Sequence, residues 1–258
     1  MANIADVAQR ILRAYESRTP IPPVRGEVKG ASEAYSVQRE TVTHWIKAGR
    51  KIAGRKIGLT SKAVQAQLGV DEPDFGALFA DMILPDWSNI AAAAVLQPRV
   101  EAEVAFVLAK DIAGDKITPE QVLAATVYVT PAIEVCGSRI ARWDIKIEDT
   151  IADNASAGRV VVGSKKTVRP SLDALAAIGM SLRLDGKPVA EGRGAACLGN
   201  PAIAVAWLAE ALTRFCDRLR AGDLVMSGAL AKMIPAEPGH RFQADFGEFG
   251  AVSVSFGG

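Results

Sequence analysis

The chain has 258 residues, enough for one large domain or for one domain with a small appendage. Hydrophobic residues make up 49% and charged residues 23%, the balance of a soluble globular protein. The net charge is +1 and no basic run is interleaved with aromatics, which argues against nucleic-acid binding. Cys136, Cys197 and Cys216 form no CxxC pair, which suits a reducing compartment and argues against zinc or a disulfide framework. No run reaches the ~18 uninterrupted apolar residues of a membrane span. The first residues lack a charged-then-apolar signal pattern, so a cytoplasmic enzyme is expected.

Along the chain, Ile4, Val7, Ile11, Leu12 and Tyr15 recur at helical spacing and predict an amphipathic first helix. Thr19-Pro20-Ile21-Pro22-Pro23 breaks it as a linker. Ser32 with Tyr35 to Ala48 predicts a second helix ending near Gly49. Residues 1–50 therefore read as a helical segment and 51–258 as the main, β-rich domain. Lys56 to Leu59 predicts a short strand, followed by a helix over Lys62 to Leu68 capped by Thr60 or Ser61. Asp71 to Gly76 reads as a loop. Leu123 to Thr126 reads as the start of a helix passing into a strand that ends at Cys136. Ser181 to Leu184 and Lys187 to Ala190 predict a hairpin around Asp185-Gly186. Pro201 to Phe215 is the clearest helix, with proline in its first turn, Val205, Leu208 and Leu212 at helical spacing, and Ile203 and Trp207 widening the apolar face; the helix is also a candidate interface. Leu224 to Ser227 predicts a strand, and Phe242 to Phe246 with Ala251 to Phe256 a closing hairpin. The fold class is α+β: a helical start, then a β-rich body with few helices.

Acids stand out on two of these strands. In Arg99 to Leu108, Glu101 and Glu103 share a face roughly 7 Å apart, while Val100, Ala102, Val104 and Phe106 take the other. Glu134 is the one acid in the apolar run from Val127 to Cys136. Glutamates at alternate positions ordinarily mark the solvated face of a half-buried strand. Buried together, they would need a cation, and carboxylates with no nearby histidine or cysteine suit a hard ion such as Mg²⁺ or Mn²⁺. Spacing leaves both readings open. The only histidines, His44 in a helical pattern and His240 after a Pro-Gly turn, show no nucleophile–base arrangement and read as structural or solvated. Acid–base work then falls to carboxylates and lysine.

Five segments, Lys56 to Lys62, Asp71 to Gly76, Pro98 to Glu103, Pro131 to Glu134 and Asp149 to Ser156, together resemble the 2-hydroxypenta-2,4-dienoate (2-oxopent-4-enoate) hydratases of the fumarylacetoacetate hydrolase superfamily. The resemblance runs nearly end to end, through Gly192 to Gly194, Leu198 to Pro201 and Ser227 to Leu230. It implies that superfamily's mixed β-roll behind a helical segment, and a divalent metal, Mg²⁺ or Mn²⁺, at Glu101, Glu103 and Glu134. It also implies hydration of a 2-hydroxy-dienoate to a 4-hydroxy-2-oxo acid in meta-cleavage degradation of aromatic compounds. Lys56 is implied in enolate or carboxylate stabilisation and proton delivery, and Asp74 in activating water. Ser156, Arg139 and Leu59 are candidate substrate-binding residues; for Arg139 the alternatives are positioning an acid or an ion pair away from the chemistry.

Two sister activities compete within the superfamily: 4-oxalocrotonate decarboxylase and 2-oxohept-4-ene-1,7-dioate hydratase. A decarboxylase has no water to activate, so the acid at Asp74 favours hydration. A non-catalytic partner subunit is a further alternative, against which the intact acids, Lys56 and Asp74 argue. The resemblance also implies a homo-oligomer, with association with a pathway decarboxylase or aldolase.

Overall fold

The computed structural model describes residues 4–61, 65 and 72–257. The helix expected over Lys62 to Leu68 lies outside the described residues. Two helices open the chain, α1 (Ile4–Ser17) and α2 (Gly30–Lys47). The second begins earlier than Ser32 suggests, because the Lys29 N–H donates to the Glu33 carboxylate and anchors the first turn there.

The body holds two sheets. The larger runs in the order β2 (Asp74–Phe79), β1 (Ile52–Gly58), β10 (Leu224–Met226), β5 (Arg99–Leu108), β6 (Thr126–Cys136), β7 (Arg159–Val162), β3 (Ile83–Pro85), with β11 (Ile234–Pro235) also on β5. It is mixed: β1 runs parallel to β10, and β5 antiparallel to β6. The smaller sheet is ordered β4 (Ser88–Ala91), β13 (Ala251–Gly257), β12 (Arg241–Asp245), β8 (Gly179–Leu184), β9 (Lys187–Arg193). Both predicted hairpins are present, β8–β9 and β12–β13.

Alternation along β5 sets the layers. Val100, Ala102, Val104 and Phe106 face the core shared with Met180, Leu182, Phe242, Val252 and Val254 of the smaller sheet. The helix α6 (Pro201–Arg214) closes that core through Ala202, Val205, Leu208 and Leu212. On the other side of β5, Ala105 packs with Leu12 of α1, Trp45 of α2, and Leu78 and Phe79 of β2.

Three boundaries depart from expectation. Asp74 starts a strand rather than lying in a loop, since β2 pairs with β1 from Gly58↔Asp74 onward. The helix before β6 is α3 (Pro119–Ala124), capped by a reciprocal Thr118–Gln121 box, and it ends before the strand begins. A further short helix, α4 (Ile147–Ala152), precedes a left-handed turn at Asn154, Ala155 and Ser156.

The large sheet curls. Laid flat, β1 and β6 would stand roughly 14 Å apart, three inter-strand steps, and side chains standing perpendicular to the sheet would not meet across that gap. Yet Lys56 Nζ on β1 lies 3.4 Å from Glu134 Oε1 on β6. That curvature creates the site.

Candidate active site

Glu101 and Glu134 are direct cross-strand partners on β5 and β6, and Glu103 stands two residues along from Glu101 on the same face. Glu103 and Glu134 are fully buried, and Glu101 partly so. Glu103 Oε2 accepts the Gly228 N–H at 2.8 Å. Gly228 has φ +104°, and a Cβ there would strike Thr60, so glycine permits this approach. Glu103 Oε1 and both oxygens of Glu134 have no hydrogen-bond partner among the described residues. Burial raises all three carboxyls, Glu101 to about 7 and Glu103 well above the ordinary glutamate value, with the neighbouring acids adding to the rise at Glu101 and Glu103. Glu134 is raised by burial against the opposing pull of Lys56.

Lys56 is the buried cation of the site. Its Nζ donates to the Ala155 carbonyl at 2.9 Å and pairs with Glu134 at 3.4 Å. Burial alone would lower its pKa, but Glu134 and the other anions raise it well above the ordinary lysine value, so it stays charged. Asp74 stands opposite Gly58 on the same sheet face, and a Cβ on Gly58 would overlap Asp74 Oδ1 and touch Lys56 Nζ. Glycine at 58 thus lets the acid and the amine approach one point. Thr150 Oγ1 donates to Asp74 Oδ2 at 3.1 Å; burial raises the Asp74 pKa, and Lys56 and Thr150 hold it back.

The turn at 154–156 carries this arrangement. All three residues take positive φ, unusual for residues with side chains. Asn154 fixes the turn by bonding both backbone groups of Ala77 on β2, and Gly76 beside it leaves room for the Asn154 carbonyl. Arg139 secures the turn's start: its Nε, Nη2 and backbone N–H all bond Asp153, its Nη1 reaches the Ala157 carbonyl, and its guanidinium lies 4.0 Å from the Tyr15 ring centre. Of the two roles open to Arg139, this geometry matches the ion pair. Ser156 is buried, its Oγ without a partner. Leu59 follows Gly58 with φ +57°, and its carbonyl accepts from Gln65 at 2.8 Å.

Sequence reasoning missed Thr150, Asn154 and Cys136 as members of the site. Thr150 and Asn154 lie inside the Asp149 to Ser156 segment without any local signal of their role. Cys136 had one: it is two residues from Glu134, so strand alternation places both on one face. Its thiol lies 3.6 Å from Glu101 Oε2. Elsewhere, Asp149 is buried and accepts from the Val24, Arg25 and Lys146 backbone N–H groups and the Arg25 guanidinium, which ties the linker down. His44 is exposed, and His240 accepts the Glu237 N–H, so neither enters the site.

The donor set fits a hard divalent ion. Three carboxyls share one sheet face, two of them fully buried; oxygens of those two lack donors among the described residues, and one lysine is too little charge to balance three acids.

A mixed sheet curled around buried carboxylates also places the chain among known proteins. Residues 48–256 match the family model of the fumarylacetoacetate (FAA) hydrolase C-terminal domain, and the chain belongs to that family. Within it the chain groups with hydratases. It is 47% identical to the 2-keto-4-pentenoate hydratase of Paraburkholderia xenovorans (strain LB400), over 97% of this chain and 94% of that one. It is 41% identical to the 2-hydroxyhexa-2,4-dienoate hydratase of Comamonas testosteroni, over 96% and 95%. Among solved structures, 4-oxalocrotonate decarboxylase from Pseudomonas putida G7, complexed with magnesium and adipate, superposes with a TM-score of 0.93 at 32% identity, covering 98% of this chain and 97% of that one.

Proposed function

We propose that the chain is a hydro-lyase adding water to 2-hydroxypenta-2,4-dienoate to give 4-hydroxy-2-oxopentanoate. The observation that carries this reading is a buried acid, Asp74, set beside the Lys56 ammonium at the edge of the glutamate cluster. Glu101, Glu103 and Glu134 would hold Mg²⁺ or Mn²⁺, which when bound supplies Lewis-acid stabilisation of negative charge on the substrate's C2 oxygen.

The chain's own residues do the rest. Proton delivery to C5, with loss of the enol proton, converts the dienol to a conjugated 2-oxo-3-enoate. Water then adds at C4 while Asp74 accepts its proton, and the electrons move through C3 toward the C2 oxygen. Lys56, charged and anchored on Ala155, stabilises that developing anion. Protonation at C3 completes the addition. Burial lifts Asp74 toward the working pH, which improves it as a base. Ser156 Oγ, buried without a partner, is the candidate hydroxyl for the substrate; Leu59 borders the same strand end, and Arg139 acts by positioning the turn.

The hydratase identities, 47% and 41%, exceed the 32% to the decarboxylase, whose close superposition makes it the second reading. Incubation with Mg²⁺ separates them: loss of dienoate absorbance without CO₂ supports hydration, and CO₂ release from 4-oxalocrotonate overturns it. Turnover of 2-oxohept-4-ene-1,7-dioate in preference to the five-carbon acid would shift the substrate. The reading includes a cytoplasmic homo-oligomer working beside a pathway decarboxylase or aldolase, which size-exclusion chromatography alone and with those enzymes checks.

A further inference from the structure

Cys136 gives the glutamate cluster a sulfur neighbour that hydration does not use. One oxygen of Glu101, one of Glu134 and Cys136 Sγ lie within 4.8 Å of one another. Cys136 and Glu134 are buried, and neither Glu134 oxygen has a hydrogen-bond partner. The Cys136 thiol's contact is Glu101 Oε2, at 3.6 Å. Lys56 Nζ adjoins this trio, 3.4 Å from Glu134 Oε1. Glu103, two residues along β5, completes the all-oxygen set but stands outside the sulfur-containing one.

Two overlapping ligand sets thus share Glu101 and Glu134. Carboxylates alone suit a hard ion, whereas adding a thiol favours softer or borderline ions. We propose that Glu101, Glu134 and Cys136 form an inhibitory site for a thiophilic divalent cation, Zn²⁺ or Cd²⁺, which displaces the hard ion of the hydratase. Coordination forms one metal–sulfur bond and releases the thiol proton to solvent, with no change of oxidation state. The trap rests on the reading of the glutamates as a metal site, and it sets this chain's tolerance for metal contamination.

Cd²⁺ titration of the metal-free, full-length protein tests it. The expected result is an ultraviolet cadmium–thiolate charge-transfer band that saturates at one equivalent, is retained in Cys216→Ser and disappears in Cys136→Ala and Cys136→Ser. Competition against Mg²⁺ should show Cd²⁺ affinity falling about 10- to 100-fold in the Cys136 variants relative to Mg²⁺ affinity. Absence of the band, or its persistence in both Cys136 variants, overturns the proposal. A band with no Mg²⁺ uptake leaves cadmium binding but overturns both its inhibitory role and the hard-ion centre, whereas Mg²⁺ uptake with no band overturns the trap alone, so the two readings fail separately.

Discussion

Lys56 and Glu134 meet at 3.4 Å with both side chains buried, although two strands stand between theirs in the sheet. That contact couples curvature to chemistry. It places one cation among Glu101, Glu103, Glu134 and Asp74, and the surplus negative charge is what a divalent ion neutralises.

Glu103→Gln separates the metal site from the fold. Glutamine keeps an oxygen for the Gly228 N–H, so the backbone contact survives. Removing one of three crowded acids should leave the metal-free protein at least as stable. Metal-supported turnover should fall about 10²- to 10³-fold, and Mg²⁺ should no longer raise the melting temperature. Turnover at the wild-type rate would remove Glu103 from the site.

Asp74→Asn tests the division of labour. Asparagine still accepts from Thr150, so folding and Mg²⁺ affinity should hold while kcat for hydration drops about 10²- to 10⁴-fold. A variant that loses metal affinity and retains kcat would move Asp74 from the base to the metal.

The carboxyls also fix a pH dependence. Burial raises Glu101 to about 7 and lifts Glu103 and Glu134 as well, against about 4.3 for an unfolded glutamate. The fold therefore favours their protonated forms. In the metal-free protein the contribution of Glu101 is full below about pH 4.3 and lost as pH rises through about 7, and those of Glu103 and Glu134 are likewise lost only above the ordinary glutamate range. A bound divalent ion favours the ionised forms, so the gap between loaded and metal-free melting temperatures should widen with pH. Melting curves at several pH values, with Mg²⁺ and with chelator, measure both trends.

Arg139→Met should act at a distance. It breaks a buried pair and leaves Asp153 uncompensated, a cost of about 3–5 kcal/mol. The turn that presents the Ala155 carbonyl to Lys56 loses its brace. Thermal unfolding should shift sharply and kcat should fall. A drop in substrate affinity alone, with stability intact, would return Arg139 to direct substrate contact.

Much of this was legible beforehand, for identifiable reasons. Period-2 alternation put Glu101 and Glu103 on one face, and helical periodicity found α1, α2 and α6. Whether that face met water was not legible, because the groups beside it, Lys56 on β1 and the Gly228 N–H, are far away in sequence. Asp74 reads as a turn residue beside Pro73, yet pairing with β1 makes it a strand residue. The left-handed run at 154–156 carries no glycine to announce it. Tertiary contacts with Ala77 and Lys56 hold it, and no local pattern encodes those.

The central claim is one divalent ion among three glutamates. Anomalous diffraction from Mn²⁺-soaked crystals measures it most directly. The account predicts a single strong peak bounded by the carboxylates of Glu101, Glu103 and Glu134. A peak elsewhere, or none there at saturating Mn²⁺, would contradict it.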